Sequence, residues 1–418
     1  MMSDGLSYPQ TPSLSFAWLR CSAREHWLRI AVCLWIAFAI ALTVKGYTKP
    51  NYRSTYPSFS TGARDFWQAE TSYGREGYYY GPTFAFGFTP FALLPDPIGA
   101  TLWNWLSLGV FLYATQRFYR EFIAVRFPQA SAGLFFTLLL LGSARSLWSS
   151  QSNAILIGCV LLGAVELLHK RWWRAAFCLA LPVHIKIWPI AIAALLIVQY
   201  PRRLLGRWLV MVGVLAALPL LTHSPGYIAN YYQAWQQSLA TRQIEAVRWG
   251  GYRDAWTLWE SLIGDVDKRM FSVVGLVVAG FVLAWTLGMH WKVRDPRRVL
   301  LSTIGLWGAW QMLFGPGSER LTLIILAPTT VAMLYECYQL RSGRGIVTLG
   351  AVIAFLIGTG SVERMLLPLW PASVALLPIG VILVAFAFLW PHGTVRGWIA
   401  SLRAPRPTPT PWPTASEA

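Results

Sequence analysis

The sequence is short of charge, and of acid above all. Charged residues make up 13% of its 418 positions, with 18 Asp and Glu against 35 Lys and Arg. A soluble chain could not cover its surface with so few charges, whereas a lipid-facing surface needs none. A hydrophobic share of 55% and a mean hydropathy of +0.45 point the same way. A set of soluble domains is thereby excluded, and the chain reads as an all-α polytopic membrane protein. Only five cysteines occur, Cys21, Cys33, Cys159, Cys178 and Cys337. None falls in an expected external loop, so neither a disulfide nor a thiolate metal site is expected. The histidines are scattered, so no metal and no other cofactor is expected. The absence of any Asn-x-Ser/Thr sequon speaks against a glycosylated eukaryotic context.

What is present is apolar sequence with basic punctuation. About twelve apolar segments lie near 27–47, 99–117, 131–148, 153–169, 172–184, 187–200, 207–222, 270–290, 299–314, 321–339, 346–360 and 373–390. Several are shorter than the roughly 20 residues that a perpendicular crossing needs. Basic residues gather in every second connection: Arg117/Arg120/Arg126, Lys170/Arg171/Arg174, Arg202/Arg203/Arg207, Lys292/Arg294/Arg297/Arg298 and Arg341/Arg344. That is the positive-inside pattern, and with an even number of spans it puts both termini in the cytoplasm. It also accounts for the net charge of +17 without a nucleic-acid partner. The 23 Trp and 17 Tyr suit the two headgroup levels.

The expected organisation is a cytoplasmic segment over 1–26, a membrane domain over 27–390 and a Pro-rich cytoplasmic tail over 391–418. The first apolar run reads as an uncleaved span. Two connections, about 47–99 and 223–269, are long and expected outside. In the second, Tyr227, Tyr231, Trp235 and Leu239 recur every four residues, and Trp256, Trp259 and Ile263 repeat at helical spacing. Both runs predict amphipathic helices in the membrane interface. "LPVHIKIWP" (181–189) carries a proline on either side of a break and predicts a helical hairpin.

Two groups of stretches carry a resemblance. "ARDFWQAE" is followed by "GYYYGPTFAFGFTPFALLPDPIGATLW", and "SSQSNAILIGCVLLGAVEL" by "ALPVHIKIWPIAIAALLI"; a weaker third stretch is "LFGPGSERLTLIILAP". In order and in topological side these resemble glycosyltransferase family 87. Its pattern is an Asp-Phe pair after the first helix, a Tyr-rich stretch before a Pro-Leu-Leu-Pro-like turn, a Gln-x-Asn helix start and a Lys near a Pro. The resemblance implies a bundle of the GT-C type that moves mannose from polyprenyl-phosphate mannose to a lipid or glycan acceptor. Where this chain reads Ser318-Glu319-Arg320, other members often carry a His. Glu319 or Arg320 would then stand in for it, or the donor or acceptor differs.

Such a transfer needs a carboxylate to take the acceptor's proton, by analogy with inverting glycoside chemistry. A polyprenyl phosphate leaves without a general acid and needs cations instead. The resemblance makes Asp65 the base, although Asp65 with Gln68 also has the spacing of a helix-capping pair. Glu70 and Glu76 are fallback bases or solvated loop charges. Lys186, at the break, binds the donor phosphate or snorkels to headgroups. Arg320 clamps phosphate, or pairs with Glu319 or a lipid. His184 lines the site or is a packing histidine. Gln151 and Asn153 hold sugar hydroxyls or cap the fourth span. Tyr78, Tyr79 and Tyr80, with Trp67, stack on a sugar, line an isoprenoid groove or belong to an interfacial belt. Arg145 and Arg75 remain unassigned candidates. No Gly-rich phosphate loop appears, which argues against a nucleotide-sugar donor at a cytosolic site.

The expected enzyme sits in a bacterial inner membrane with its site on the periplasmic side. A secondary transporter is a rival, but its fold class favours ionisable groups at mid-membrane. Here the spans are almost free of acids, and Glu166 and Glu336 both lie near helix ends. A non-catalytic scaffold for envelope assembly is a second rival, in which Asp65 would be dispensable.

Overall fold

The structure, a computed structural model, describes residues 14–389 apart from 72, 74–77, 246–251, 294 and 341–342; the side chains of 14–23 and 241–245 are not described. Arg75, Glu76 and the tail over 391–418 lie outside the described residues, as does the side chain of Cys21.

In chain order the helices are α1 (Leu14–Thr48), α2 (Tyr56–Trp67), α3 (Pro82–Ala92), α4 (Asp96–Phe118), α5 (Ala132–Trp148), α6 (Asn153–Leu168), α7 (Trp172–Ile185), α8 (Ile190–Gln199) and α9 (Pro201–Ala217). They continue as α10 (Pro225–Glu245), α11 (Ala255–Leu262), α12 (Lys268–Lys292), α13 (Pro296–Phe314), α14 (Ala327–Gln339), α15 (Arg344–Gly358), α16 (Ser361–Leu366) and α17 (Leu376–Leu389). No strand occurs among the described residues beyond one isolated bridge between Tyr252 and Glu319.

Each of the twelve apolar segments is helical. Among the described residues, four helical stretches are long and apolar enough to cross a bilayer: Arg24–Thr48, Pro201–Leu221, Lys268–Lys292 and Pro371–Leu389. The remaining eight are too short or too polar to be counted as full crossings. α6 shows why: nearly all its residues are buried among other helices, and a helix wrapped in protein need not match the bilayer thickness. The first helix also starts at Leu14, well before the expected boundary at 27.

Local chemistry sets several helix starts. Asp254, Asp267 and Asp295 accept from the backbone N–H of Thr257, Met270 and Arg297 at 3.0, 2.7 and 3.0 Å, and so cap α11, α12 and α13. Pro82 and Pro296 occupy first-turn positions, where a missing N–H is harmless. The break in "LPVHIKIWP" falls at Lys186, which is extended (φ −140°, ψ 142°). Pro189 then stands at the N-cap of α8 (φ −62°, ψ −8°). Pro182, in contrast, lies inside α7. α7 packs mainly on α6 and α9, while α8 touches α7, α9, α12 and α13 alike.

The buried side chains form two clusters. The larger one fills the bundle, around Phe111, Phe118, Trp307 and Ile324. The smaller is mostly aromatic and built by α2, α3, the Tyr78–Tyr80 strand of loop, Trp103 of α4 and α10. Phe59 is its centre, edge-on to Tyr80 at 4.7 Å, Phe84 at 5.1 Å and Trp103 at 5.8 Å. Edge-to-face aromatic pairs of this kind add about 0.5–1.5 kcal/mol each beyond burial.

The ion pairs sort to two ends of the bundle. At one end the basic connections find acids: Arg126 and Arg298 share buried Glu336, and Arg297 and His169 reach Glu121. The residues of interest gather at the other.

Candidate active site

Asp65 stands in the last turn of α2, one residue before Phe66, and is half-buried. It does not start a helix, so the capping role that its spacing with Gln68 offered is not used; Gln68 is the C-terminal cap of the same helix. α2 is fastened by Arg64, which donates to Asp96 at 2.7 Å and to the carbonyl of Ala92 at 2.8 Å. Gly62 lets α2 lie against the ring of Tyr78, where a Cβ would come within 2.2 Å.

Around Asp65 the chain assembles a cluster of tyrosines. Tyr78 is 1% exposed, and its hydroxyl is buried without a hydrogen-bond partner. Burial pushes the Tyr78 phenol well above its ordinary range, and the nearby Tyr231, Tyr80 and Asp65 add to the effect. Tyr227 is pushed up to about 12, by burial first and then by Asp65 and Glu70. Its hydroxyl donates to the carbonyls of Phe66 (3.3 Å) and Glu70 (3.0 Å). Tyr78 and Tyr80 are therefore interior residues and do not form an exposed belt. Trp67 is 46% exposed and turns edge-on to His223. The expected interfacial face of α10 is also partly internal: Tyr231 is buried against Phe66, and the Trp235 indole donates to the carbonyl of Tyr79 at 3.1 Å.

Tyr80 links this cluster to the break after α7. Its ring lies 5.6 Å from Tyr78's, and the Lys186 ammonium sits over it at 5.6 Å. Lys186 also donates to the side-chain oxygen of Asn153 at 2.9 Å. The Asn153 amide in turn reaches the carbonyl of Leu321 at 3.4 Å. Asn153 is thus a buried connector between two segments and makes no cap of α6. Gln151 keeps a buried Oε1 without a partner, close to Ser150, a non-glycine at φ 54°. The carbonyl of Ser150 accepts from Trp103 (2.9 Å) and Thr55 (3.1 Å), which hold this strained turn in place.

His184 has both ring nitrogens engaged, Nδ1 with Thr83 (3.2 Å) and Nε2 with the carbonyl of Val212 (3.1 Å). Its contacts are those of a packing histidine that joins α3, α7 and α9. Arg320 does not pair with Glu319. It donates to Glu363 at 2.9 Å, and Arg253 donates to the other oxygen of the same carboxylate at 2.7 Å. The Glu319 backbone N–H donates to Thr322 (3.1 Å), which fixes the start of the 3-10 turn Arg320–Ile325. Arg253 and Glu363 escaped the sequence reading because a single buried pair leaves no spacing signal across 110 residues.

Asp65, Tyr80, Asn153, Lys186 and the Arg320 segment therefore lie along one connected path at one end of the bundle. Among the described residues no group of three His, Cys, Asp or Glu could hold a metal ion. One cleft, about 410 Å³, is lined by Tyr113, Glu166, Trp173 and Met211, none of which is a residue of this path.

Comparison with known proteins adds one finding. The model of glycosyltransferase family 87 matches residues 78–316, more than half of the chain. The matched stretch contains Tyr80, Gln151, Asn153, His184 and Lys186; Asp65 precedes it and Arg320 follows it. No curated protein matches the chain. An all-helical protein with apolar spans, matched over that length, belongs to glycosyltransferase family 87.

Proposed function

We propose that the protein transfers a hexose, mannose in the simplest case, from a polyprenyl-phosphate sugar to a lipid or glycan acceptor. The reaction proceeds on the external face of a bacterial inner membrane, with both termini cytoplasmic. Asp65 takes the proton of the acceptor hydroxyl as that oxygen attacks the anomeric carbon from the face opposite the phosphate. The carbon–oxygen bond to phosphate breaks with inversion, and its electron pair leaves with the polyprenyl phosphate. Lys186 meets the charge that develops there, with Arg320 on the adjoining segment, as fixed cations in a water-poor site do. Tyr80 orients the Lys186 ammonium, while Asn153 holds it from the other side. Gln151, with its unpartnered oxygen, suits a sugar hydroxyl; Trp67, exposed at the end of α2, suits an acceptor ring.

The observation that carries this reading is the path from Asp65 through Tyr78 and Tyr80 to Lys186. The charge of Asp65 bears on Tyr78, whose ring lies 5.6 Å from that of Tyr80, and Tyr80 carries the Lys186 ammonium over its face. The test compares wild type and Asp65→Asn in liposomes with synthetic polyprenyl-phosphate mannose and a panel of glycolipid acceptors. A loss of about a hundredfold or more in the variant supports Asp65 as the base. Equal turnover by the two removes that role and transfers it to Glu70. Absence of product from wild type with every acceptor counts against mannose as the sugar.

A further inference from the structure

The charge around Glu363 does not balance. Glu363 is 1% exposed, and both its oxygens are occupied: Arg253 donates to one through Nε and Nη2, and Arg320 to the other. One carboxylate thus answers two guanidinium groups, and its single negative charge is already outnumbered.

A third is nevertheless there. Arg145 arrives from the last turn of α5, and the charges that bear on it are those of Arg320, Arg364 and Arg53 against the single carboxylate of Glu363. Its Nη1 reaches the carbonyl of Thr359 at a long 3.3 Å, and its Nε is buried without any hydrogen-bond partner. The backbone makes room for it: Gly360 sits at φ 72°, where a Cβ would stand 3.3 Å from the Arg145 guanidinium carbon. Arg364, exposed at the surface, donates to the carbonyl of Gly360 at 3.0 Å and so faces the same turn. Gathering like charges in a half-buried place is unfavourable unless an anion joins them. Guanidinium forks match the oxygens of phosphate in geometry as well as charge.

We propose that Arg145, Arg364 and Arg53 form a binding site for a phosphate group, separate from Lys186. Glu363, neutralised by Arg253 and Arg320, forms its floor. The site opens to the surface through Arg364 and Arg53, both exposed. It lies at the same end of the bundle as Asn153, whose amide bonds Leu321, the neighbour of Arg320. The phosphate belongs either to a lipid headgroup or to free inorganic phosphate; the chemistry that recognises them is shared. This site does not depend on the catalytic role of Asp65.

The experiment titrates labelled inorganic phosphate, and separately dioctanoyl phosphatidic acid, into the full-length protein in neutral detergent. Wild type, Arg145→Gln, Arg364→Gln and Lys186→Gln are compared, with thermal unfolding as the check on folding. The expected result is saturable binding that Arg145→Gln and Arg364→Gln each weaken about tenfold or more, as loss of a charge-assisted bond should, while Lys186→Gln retains it. Tighter binding of phosphatidic acid assigns the site to a lipid headgroup, and equal affinity assigns it to free phosphate. Three results would overturn the proposal: no saturable binding of either probe, binding unaffected in both arginine variants, or binding lost only in Lys186→Gln. Arg364 is exposed, so a loss in its variant cannot come from a collapsed core. A protein that binds phosphate but transfers no sugar leaves this site standing and removes only the catalytic reading.

Discussion

The ammonium of Lys186 and the side-chain oxygen of Asn153 meet at 2.9 Å and join the break after α7 to the first turn of α6. Asn153 is 3% exposed, so this bond is made inside the protein and orients the ammonium over the ring of Tyr80. Replacing Asn153 by Ala leaves Lys186 without that acceptor. Losing a hydrogen bond to a charged group costs about 1.5–3 kcal/mol. We therefore expect kcat/KM to fall roughly ten- to hundredfold in Asn153→Ala, mostly through a raised KM for the polyprenyl-phosphate donor, in steady-state assays in liposomes.

Gly62 determines how close α2 can come to Tyr78. A methyl group there would sit 2.2 Å from the Tyr78 ring, which is itself buried and cannot swing away. Overpacking of this sort costs about 1–3 kcal/mol. Gly62→Ala should lower the thermal unfolding midpoint and also slow turnover, because α2 carries Asp65 one turn further on. Gly109, which has open space around it, supplies the control: Gly109→Ala should do neither.

Alkaline pH should loosen the contact between α10 and α2. The Tyr227 phenol is raised from 10.0 to about 12 in the folded protein. A group whose folded pKa is raised holds its proton more tightly when folded, so stability falls as pH rises through the window from about 10 to about 12. Below that window the contribution is fully present. Unfolding midpoints of wild type should drop across it, and Tyr227→Phe should show a shallower drop; identical pH curves would refute the assignment.

Glu363 is a buried carboxylate that holds two cations, Arg253 buried and Arg320 partly so, and its removal should be costly. Breaking a buried ion pair from one side typically destabilises by about 3–5 kcal/mol, because the other charge is left unanswered. Glu363→Gln should therefore reduce the yield of folded protein and its unfolding temperature. Adding Arg253→Met to Glu363→Gln should restore part of the loss, which a thermal melt of the double variant would show.

Much of the architecture was legible in the sequence because the bilayer simplifies the problem. A membrane helix must be apolar along its length and satisfy its own backbone, so each of the twelve apolar segments could be placed on a helix from hydropathy alone. Asp65 and Lys186 stood out for the same reason: in a chain poor in charge, an ionisable group beside an apolar run is conspicuous. Tyr227, Tyr231 and Trp235 likewise announced α10 by their period of four.

Other features had no linear signature and were decided by tertiary packing. The period that defines a helix face says nothing of what covers it, so Tyr231 and Trp235 were expected at the membrane interface yet pack on α2 and the Tyr79 backbone. Asp65 and Gln68 had the spacing of a cap, but spacing does not say at which end of a helix a pair lies, and here it is the last turn. Beside phosphate, Arg320 had the adjacent Glu319 as one possible partner. In the fold it reaches Glu363, because the distant helix α16 brings a buried carboxylate within 2.9 Å of it. What the sequence by itself determined was the apolar helical chain and its few conspicuous charges, since these follow from solvent and local periodicity. Which charges meet, and so where an anion can be held, only the tertiary structure decided, because Coulomb and hydrogen-bond energies depend on distance in space and not along the chain.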